Sequence, residues 1–209
     1  MMKKIKVITV LLCTLMLIGG CGTKDSDTDA YIQEQDEIMD QMMDDMEIKG
    51  TGNASLDFLK GMIPHHKSAI EMSKSYLKYA GEKAEFSELA NTIITAQEEE
   101  IGQMEDMTAR LEKSGTSDEE KEKQYLKEYN AMMENHEDHE TETEDLDRAF
   151  AQGMSMHHQM AVDMARLILA YTEDEEVKQF ADNVISMQEE EITQMQSYLQ
   201  ESGGGNHAH

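Results

Sequence analysis

A twelve-residue pattern that occurs twice limits the folds open to this chain more than any other feature. The first copy begins at Gly61 and the second at Gly153, and both follow G-M-x-x-H-H-x-x-A-x-x-M. Roughly thirty residues after each histidine pair comes a second repeated phrase, Q-E-E-E-I-x-x-M, which begins at Gln97 and at Gln188. The chain is therefore a tandem duplication whose halves carry the same histidines, methionines and glutamates.

Residue patterning predicts an all-α protein. The sequence has one proline and no tryptophan, and the alternation of apolar and polar residues that marks strands is absent. The apolar spacing predicts six helices, which span residues 31–48, 56–80, 83–113, 117–139, 147–171 and 172–201. Ser117 with Glu120 and Thr172 with Glu175 have the spacing of capping boxes. Pro64 lies inside the second helix, where we expect a kink.

The order of these helices predicts a fold class. The two histidine helices and the two glutamate helices form two tight hairpins, and a long crossover that includes the fourth helix joins them. This connectivity matches a ferritin-like antiparallel four-helix bundle made of two repeated helical hairpins. The first and fourth helices are additional and rich in methionine. We assign residues 31–115 to the first repeat and 116–201 to the second, together forming one bundle domain.

The N-terminus has the features of a bacterial export signal. Three lysines precede an apolar run over residues 7–18, which is too short to span a bilayer but suits the core of a signal peptide. The run ends in Gly19-Gly20-Cys21, which resembles a lipobox, in which the cysteine is lipidated. We predict a signal peptide over residues 1–20 and a flexible lipoprotein tether over residues 21–30. An uncleaved N-terminal anchor is the alternative, and either version places the protein on the extracytoplasmic face of the cell membrane.

The chain is strongly acidic, with a formal charge of −26. Removal of residues 1–20 takes away three lysines and no acids, so the mature charge would be −29. Such a surface repels nucleic acid and concentrates cations. Solubility alone would also explain the charge. At the other terminus, residues 202–209 form a predicted disordered tail that contains His207 and His209.

The repeated patterns bring potential metal ligands together. On a helix, the histidines and methionines of each copy of the first pattern fall on one stripe about 120° wide. The glutamate and methionine of the second phrase share a face of the partner helix, so imidazole, thioether and carboxylate groups should converge. We expect His65 and His157 to point inward. The predicted metal ligands are Met62, His65, His66, Met72, Glu100 and Met104 in the first half and Met154, His157, His158, Met164, Glu191 and Met195 in the second.

The residue types indicate which metal these ligands would take. Thioether with imidazole suits Cu(I) best, Ag(I) is its chemical mimic, and imidazole with carboxylate would also accept Cu(II). Sixteen of the 19 methionines lie after residue 20. The alternative is that methionine fills the core and that the histidines are satisfied by Glu100 and Glu191. A di-iron site would need Glu-x-x-His, which occurs nowhere in the chain. The His136 and His139 pair is a weaker candidate site.

The phrases M-I-P-H-H-K-S-A-I-E-M-S and Q-E-E-E-I-x-x-M resemble those of the DUF 305 family. This resemblance covers nearly all of residues 31–201 and implies a ferritin-like bundle in an exported bacterial protein, with copper binding in some members. By position it points to His65, His66, Met72 and Met104, and to His157, His158, Met164 and Met195. The family often has tryptophan where this chain has Met107 and Tyr198.

Three functions remain open from the sequence. The first is a copper-binding lipoprotein for buffering, sequestration or tolerance, whose partners would be the metal ion, the membrane through its lipid, and a second copy or a copper-handling protein. The second is a non-metal helical interaction module at the cell surface. The third is a ferritin-like oxidoreductase, although the sequence shows no nucleophile and no cofactor-binding loop. We therefore predict a non-enzyme with copper as its only cofactor and no organic one.

The signal pattern predicts that lipid attachment at Cys21 holds the protein at the membrane. Cells fed a fatty-acid probe should label the wild-type protein, and a Cys21→Ala variant should lose the label and be released from the membrane fraction. A variant that stays as tightly bound as wild type would contradict lipid attachment.

Overall fold

The computed structural model describes residues 23–134 and 143–203, and within these ranges the only regular elements are helices. Six are present, as the sequence predicts. They are α1 (Thr23–Asp45), α2 (Ala54–Ala80), α3 (Ser87–Ser114), α4 (Glu119–Met133), α5 (Leu146–Leu169) and α6 (Glu175–Gly203).

The helices form a bundle centred on α2 and α5. These two helices pack directly against each other, α3 packs on α2, and α6 packs on α5, so each repeat contributes one helical hairpin. The α2 and α5 helices run antiparallel, because Gly61 lies near Met164 and Met72 lies near Gly153. Both additional helices, α1 and α4, also contact α2 and α5. The predicted antiparallel bundle of two hairpins is confirmed.

The central helix α2 is defined by clear end signals. Asn53 caps its N-terminus, since its side chain accepts hydrogen bonds from the backbone N–H groups of Ser55 and Leu56. The helix ends at Gly81, whose φ of 82° lies where a side chain would be strained. Pro64 is accommodated within this single 27-residue helix, so the proline does not divide the helix that carries the first histidine pair.

The predicted tether is wrong from Thr23 onward. The first helix begins at Thr23, eight residues before the predicted start, and ends at Asp45 rather than at residue 48. Its early turns are anchored to the bundle: Thr28 is buried and donates to the backbone carbonyl of Glu144 at 3.3 Å, and Tyr31 is only 1% exposed. Composition suggested a linker, but these contacts with the start of the second hairpin stabilise a helix.

Two predicted helix starts are shifted by aspartate caps. Asp118, not Ser117, caps α4 by accepting from the backbone N–H of Lys121, while Ser117 donates to the carbonyl of Gly52. Asp174 likewise accepts from the N–H of Val177, so Thr172 is not the cap of α6. In both cases an aspartate one or two residues further on was the better cap.

Two other boundaries also differ. The third helix begins at Ser87 instead of residue 83, after a turn. The described part of α4 ends at Met133. His136 and His139, the predicted signal peptide, Cys21 and the tail with His207 and His209 all lie outside the described residues. No helix within the described ranges is both long and apolar enough to cross a membrane.

The core divides into two clusters. Cluster A contains Phe58, Tyr129 and Phe180 together with seven buried methionines: Met42, Met46, Met62, Met104, Met107, Met160 and Met164. Cluster B contains Tyr76, Phe86 and Phe150 together with Met72, Met154 and Met195. Along α2, the two histidines lie between Met62 of cluster A and Met72 of cluster B. A buried polar layer therefore separates the two apolar clusters.

A buried carboxyl pair lies at the start of α2, where loop 50–53 meets α4. Asp57 is fully buried and accepts from the N–H of Thr51 at 3.0 Å, and Glu122 accepts from the N–H of Gly52. Burial, together with the neighbouring carboxyl of Glu122, raises the pKa of Asp57 to about 6. The folded protein therefore disfavours the charged form of Asp57.

This pair predicts that Asp57→Asn stabilises the fold near neutral pH. The folded pKa lies above the unfolded value, so stability is lost as pH rises from about 4 to about 6. An amide can still accept from Thr51 and can donate to Glu122. At pH 7.5 we expect a gain of about 2 kcal/mol in the free energy of unfolding, measured by urea denaturation, and little gain at pH 4. The exposed control Asp182→Asn should show no such pH dependence, and equal effects of the two variants would contradict the assignment.

Candidate metal centre

Four histidine rings form a continuous row across the polar layer. The ring centroids of His66 and His65 lie 6.1 Å apart, those of His65 and His157 lie 3.8 Å apart, and those of His157 and His158 lie 6.0 Å apart. All four residues are 0% exposed. The row runs from one hairpin into the other, with His65 and His157 in contact at its centre. This position agrees with the predicted inward orientation of these two residues.

The inner pair is held by hydrogen bonds that fix the ring protons. His65 Nε2 lies 3.1 Å from the carbonyl oxygen of His157, which can only accept, so this nitrogen carries the proton. Ser68 Oγ donates to the carbonyl of His65 at 2.6 Å and lies 2.7 Å from His157 Nε2. Since the serine proton is already used, His157 Nε2 is also the donor.

The outer pair is held by carboxylates. His66 Nε2 lies 2.9 Å from Glu100 Oε2, and His158 Nε2 lies 2.8 Å from Glu191 Oε2. The two contacts occupy equivalent positions in the repeats, and each joins the helices of one hairpin, but only the His66 contact has the geometry of a hydrogen bond. A carboxylate at one ring nitrogen orients the ring and makes the other nitrogen a better ligand.

The remaining ring nitrogens have no hydrogen-bond partner. The Nδ1 atoms of His65, His66, His157 and His158 are all buried and unpaired. Buried polar atoms without partners are costly in a folded protein, and a ring protonated at Nε2 presents the lone pair of Nδ1. Four unpaired lone pairs in one layer fit a metal ion as their missing partner. Within the described ranges no three His, Cys, Asp or Glu side chains are grouped as a metal site.

Burial keeps the inner rings neutral. Loss of hydration lowers the pKa of His65 well below its ordinary value, and the neighbouring imidazoles lower it further. The same two causes lower the pKa of His157. His65 and His157 therefore stay neutral, and keep the lone pair that a metal ion needs, in more acidic solution than a free imidazole would.

The last methionine of each motif copy, Met72 or Met164, packs against the other hairpin. A Cβ placed on Gly61 would lie 3.5 Å from Met164 Cε, and one placed on Gly153 would lie 3.7 Å from Met72 Cε. Met164 thus joins Met62 and Met104 in cluster A, and Met72 joins Met154 and Met195 in cluster B. Each cluster therefore contains two motif methionines from one hairpin and one from the other. Each glycine provides room for the last methionine of the other copy.

Two buried glutamines and one serine take part in the layer although the sequence did not indicate them as site residues. Gln97 and Gln188 are each 2% exposed, and neither side chain has a hydrogen-bond partner. Their recurrence at the start of each glutamate phrase was a usable signal. Ser68 gave none, because the equivalent position in the second copy is Met160.

Comparison with known proteins identifies the family. The family described as a domain of unknown function, DUF305, matches residues 15–108 and again residues 55–199. The chain belongs to the DUF305 family. The double match agrees with the internal duplication. A DUF305 fragment from Deinococcus radiodurans has the same fold, with a TM-score of 0.52 at 24% identity over 73% of this chain and 98% of the fragment.

Solved structures of a protein named CopM resemble this DUF305 chain more closely in sequence. Its Ag-bound form is 32% identical over 70% of this chain and 95% of CopM, with a TM-score of 0.53. Its Cu(I)-bound form is 30% identical over 72% of this chain and 98% of CopM, with the same TM-score. CopM has also been solved in a Cu(II)-bound form. An uncharacterized protein of Acanthamoeba polyphaga mimivirus is 40% identical over 55 residues, which are 26% of this chain and 36% of the viral protein.

The neutral inner rings predict how the metal-free protein responds to acid. The folded pKa values lie below the unfolded value of about 6.5, so the unfolded chain binds more protons and stability is lost as pH falls below that value. Each ring should contribute a loss of up to about 1.4 kcal/mol per pH unit. Denaturation curves between pH 7.5 and 5 should show this slope, and a His65→Gln, His157→Gln variant should show a shallower one. Equal slopes for the wild type and the variant would contradict the lowered pKa values of His65 and His157.

Proposed function

We propose that this DUF305 protein binds Cu(I) in its bundle core and serves to buffer or sequester copper outside the cytoplasm. The observation that carries the proposal is the row of four buried imidazoles with unpaired Nδ1 atoms, placed between two clusters that each contain buried thioethers. Imidazole and thioether are together the ligand set that favours a soft, monovalent ion.

The arrangement of the layer also supports the proposal. Carboxylates hold the outer rings, and a carbonyl and a hydroxyl hold the inner rings. Every ring is therefore oriented before a metal ion arrives, which reduces the cost of ordering the ligands on binding. Methionine remains a competent soft ligand outside the cytoplasm, where free thiols are readily oxidised.

The similarity to CopM adds independent support. That protein has been solved with Ag, Cu(I) and Cu(II) bound, and the present chain is about 30% identical to it over 70% of its own length or more. Ag(I) and Cu(I) share a preference for soft ligands, so the same preference in this chain accords with its methionine content.

We further propose that the protein acts as a lipoprotein at the outer face of the membrane. The support is the sequence alone: a charged start, a short apolar core and Cys21 in the required order. Helix α1 begins at Thr23, two residues after Cys21, so a lipid on Cys21 would keep the acidic bundle close to the membrane surface. Storage, transfer and resistance are all compatible with such a location.

Anaerobic thermal melts test the metal preference. Protein purified without a histidine tag should be stabilised by one or more equivalents of Cu(I), because a ligand bound only by the native state raises stability with the logarithm of its concentration over its Kd. Zn(II) should give a clearly smaller shift, since it does not favour thioethers. Equal shifts for the two metals would contradict thioether ligation. An absence of any shift would favour the interaction-module alternative.

A variant of the row tests where the copper binds. His65→Gln, His157→Gln should lose at least tenfold in Cu(I) affinity, measured by competition with a coloured Cu(I) chelator, because the two central nitrogen ligands are removed. The control Met156→Leu, Met187→Leu changes the two exposed methionines and should bind copper like wild type. Unchanged affinity in the histidine variant would exclude the row as the site.

A further inference from the structure

The two additional helices contribute a second group of methionines to cluster A. Met42 and Met43 lie on α1, and Met46 follows its last residue and donates its backbone N–H to the carbonyl of Met42. On α4, Met132 and Met133 lie one turn after Tyr129 on the same face as that residue. Tyr129 donates a hydrogen bond to the backbone carbonyl of Met46 at 3.2 Å, which joins the end of α1 to α4. We name the resulting group, Met42, Met43, Met46, Met132 and Met133, the methionine seam.

The seam extends from the protein surface to the buried core. Met42 and Met46 are 2% exposed, whereas Met43, Met132 and Met133 are half-buried and pack against cluster A. At its inner end, a Cβ placed on Gly61 would lie 3.3 Å from Tyr129 Oη and 3.5 Å from Met164 Cε. The hydroxyl of Tyr129 therefore lies between the seam and Met164, on the cluster A side of the polar layer.

Among the residues that the structure describes, only the cluster A end of the bundle has such a seam. Cluster A contains seven buried methionines, and the seam accounts for two of them. Cluster B contains three buried methionines, each from a repeated motif, and of α1 and α4 only Met39 among the described methionines packs against it. Two of the four additional buried methionines in cluster A, Met42 and Met46, come from the seam. The other two, Met107 and Met160, lie on α3 and α5, where the other copy has Tyr198 and Ser68.

We propose that the methionine seam is a separate thioether site for Cu(I) or Ag(I). Through this site the metal reaches Met62, Met104 and Met164, which lie on the cluster A side of the polar layer. The proposal rests on the proposed copper-binding function and assigns it a side of entry. Thioethers are neutral, so a soft ion can be passed from one to the next without a change in protonation. Their flexible side chains can adjust to the ion.

The acidic surroundings favour cation approach to this face. Asp44, Asp45 and Glu134 are exposed at the ends of α1 and α4 next to the seam. Negative potential raises the local concentration of cations without providing soft ligands of its own. The carboxylates would thus attract any cation, and the thioethers would select the soft, monovalent ones.

Titration with Ag(I), an air-stable probe, tests the site directly. The full-length protein, in detergent and labelled with ¹³C at the methionine methyl groups, should show shifted signals for the buried and half-buried seam methionines early in the titration. Signals of Met62, Met104 and Met164 should shift as well, and the exposed Met156 and Met187 should not. Single Met→Leu variants assign the signals.

A matched pair of variants separates ligation from packing. Met42→Leu, Met46→Leu, Met132→Leu and Met133→Leu together keep side-chain volume but should remove about one equivalent of Ag(I) and slow delivery to Met62 and Met164 at least tenfold. Met156→Leu, Met187→Leu is the control. If core methionine signals shift in the wild type while the seam signals do not, the seam is packing only and the inference is wrong, although the proposed function stands. If no methionine signal shifts, the proposed function fails as well.

Discussion

The contact between His65 and His157 is the interaction on which the rest of the bundle depends. Two imidazole rings can lie 3.8 Å apart at the centre of a protein only if they are not both charged, since like charges in a medium of low polarity repel strongly. The structure meets this condition by burying both rings completely and by giving each Nε2–H an acceptor. The α2 and α5 helices are held at the register that this contact requires.

The polar layer explains why the core is divided. Four imidazoles, two glutamines and two carboxylates occupy the middle of α2, α3, α5 and α6, and apolar side chains fill the bundle on either side of them. A continuous apolar core would be cheaper to bury. Retention of so many polar groups at one level, several of them without protein partners, accords with the proposed binding of a metal ion in this layer.

The sequence predicted the parts of this arrangement that depend on a single helix or a single hairpin. Helix periodicity placed the histidines and methionines on one stripe, and the repeated phrases made Glu100 and Glu191 possible partners of the histidines. The sequence did not predict the contacts between the two hairpins. Periodicity tells which side chains share a face but not which face of another helix they contact, so the exchange of Met72 and Met164 could not be read from spacing. Ser68 was missed for a related reason, because the duplication does not repeat it.

The same distinction applies to the ends of the helices. The residues before Tyr31 have the composition of a linker, and the helix over residues 23–30 forms only because Thr28 and Tyr31 find partners in the bundle. At α4 and α6 the cap was misplaced by one or two residues among several suitable side chains, which local sequence rarely resolves. The element types were predictable, whereas their limits depended on tertiary contacts.

The exchange of methionines at Gly61 and Gly153 has a consequence for the ancestry of the molecule. The methionine that lies beside the motif glycine of each copy comes from the other copy. One half of the chain therefore does not contain the whole arrangement. A protein with a single copy would regain the arrangement only by pairing with a second, identical chain about a two-fold axis, as isologous dimers do. Tandem fusion makes that pairing permanent and independent of concentration. It also frees the two halves to differ, which is how one of them could keep Ser68 where the other has Met160.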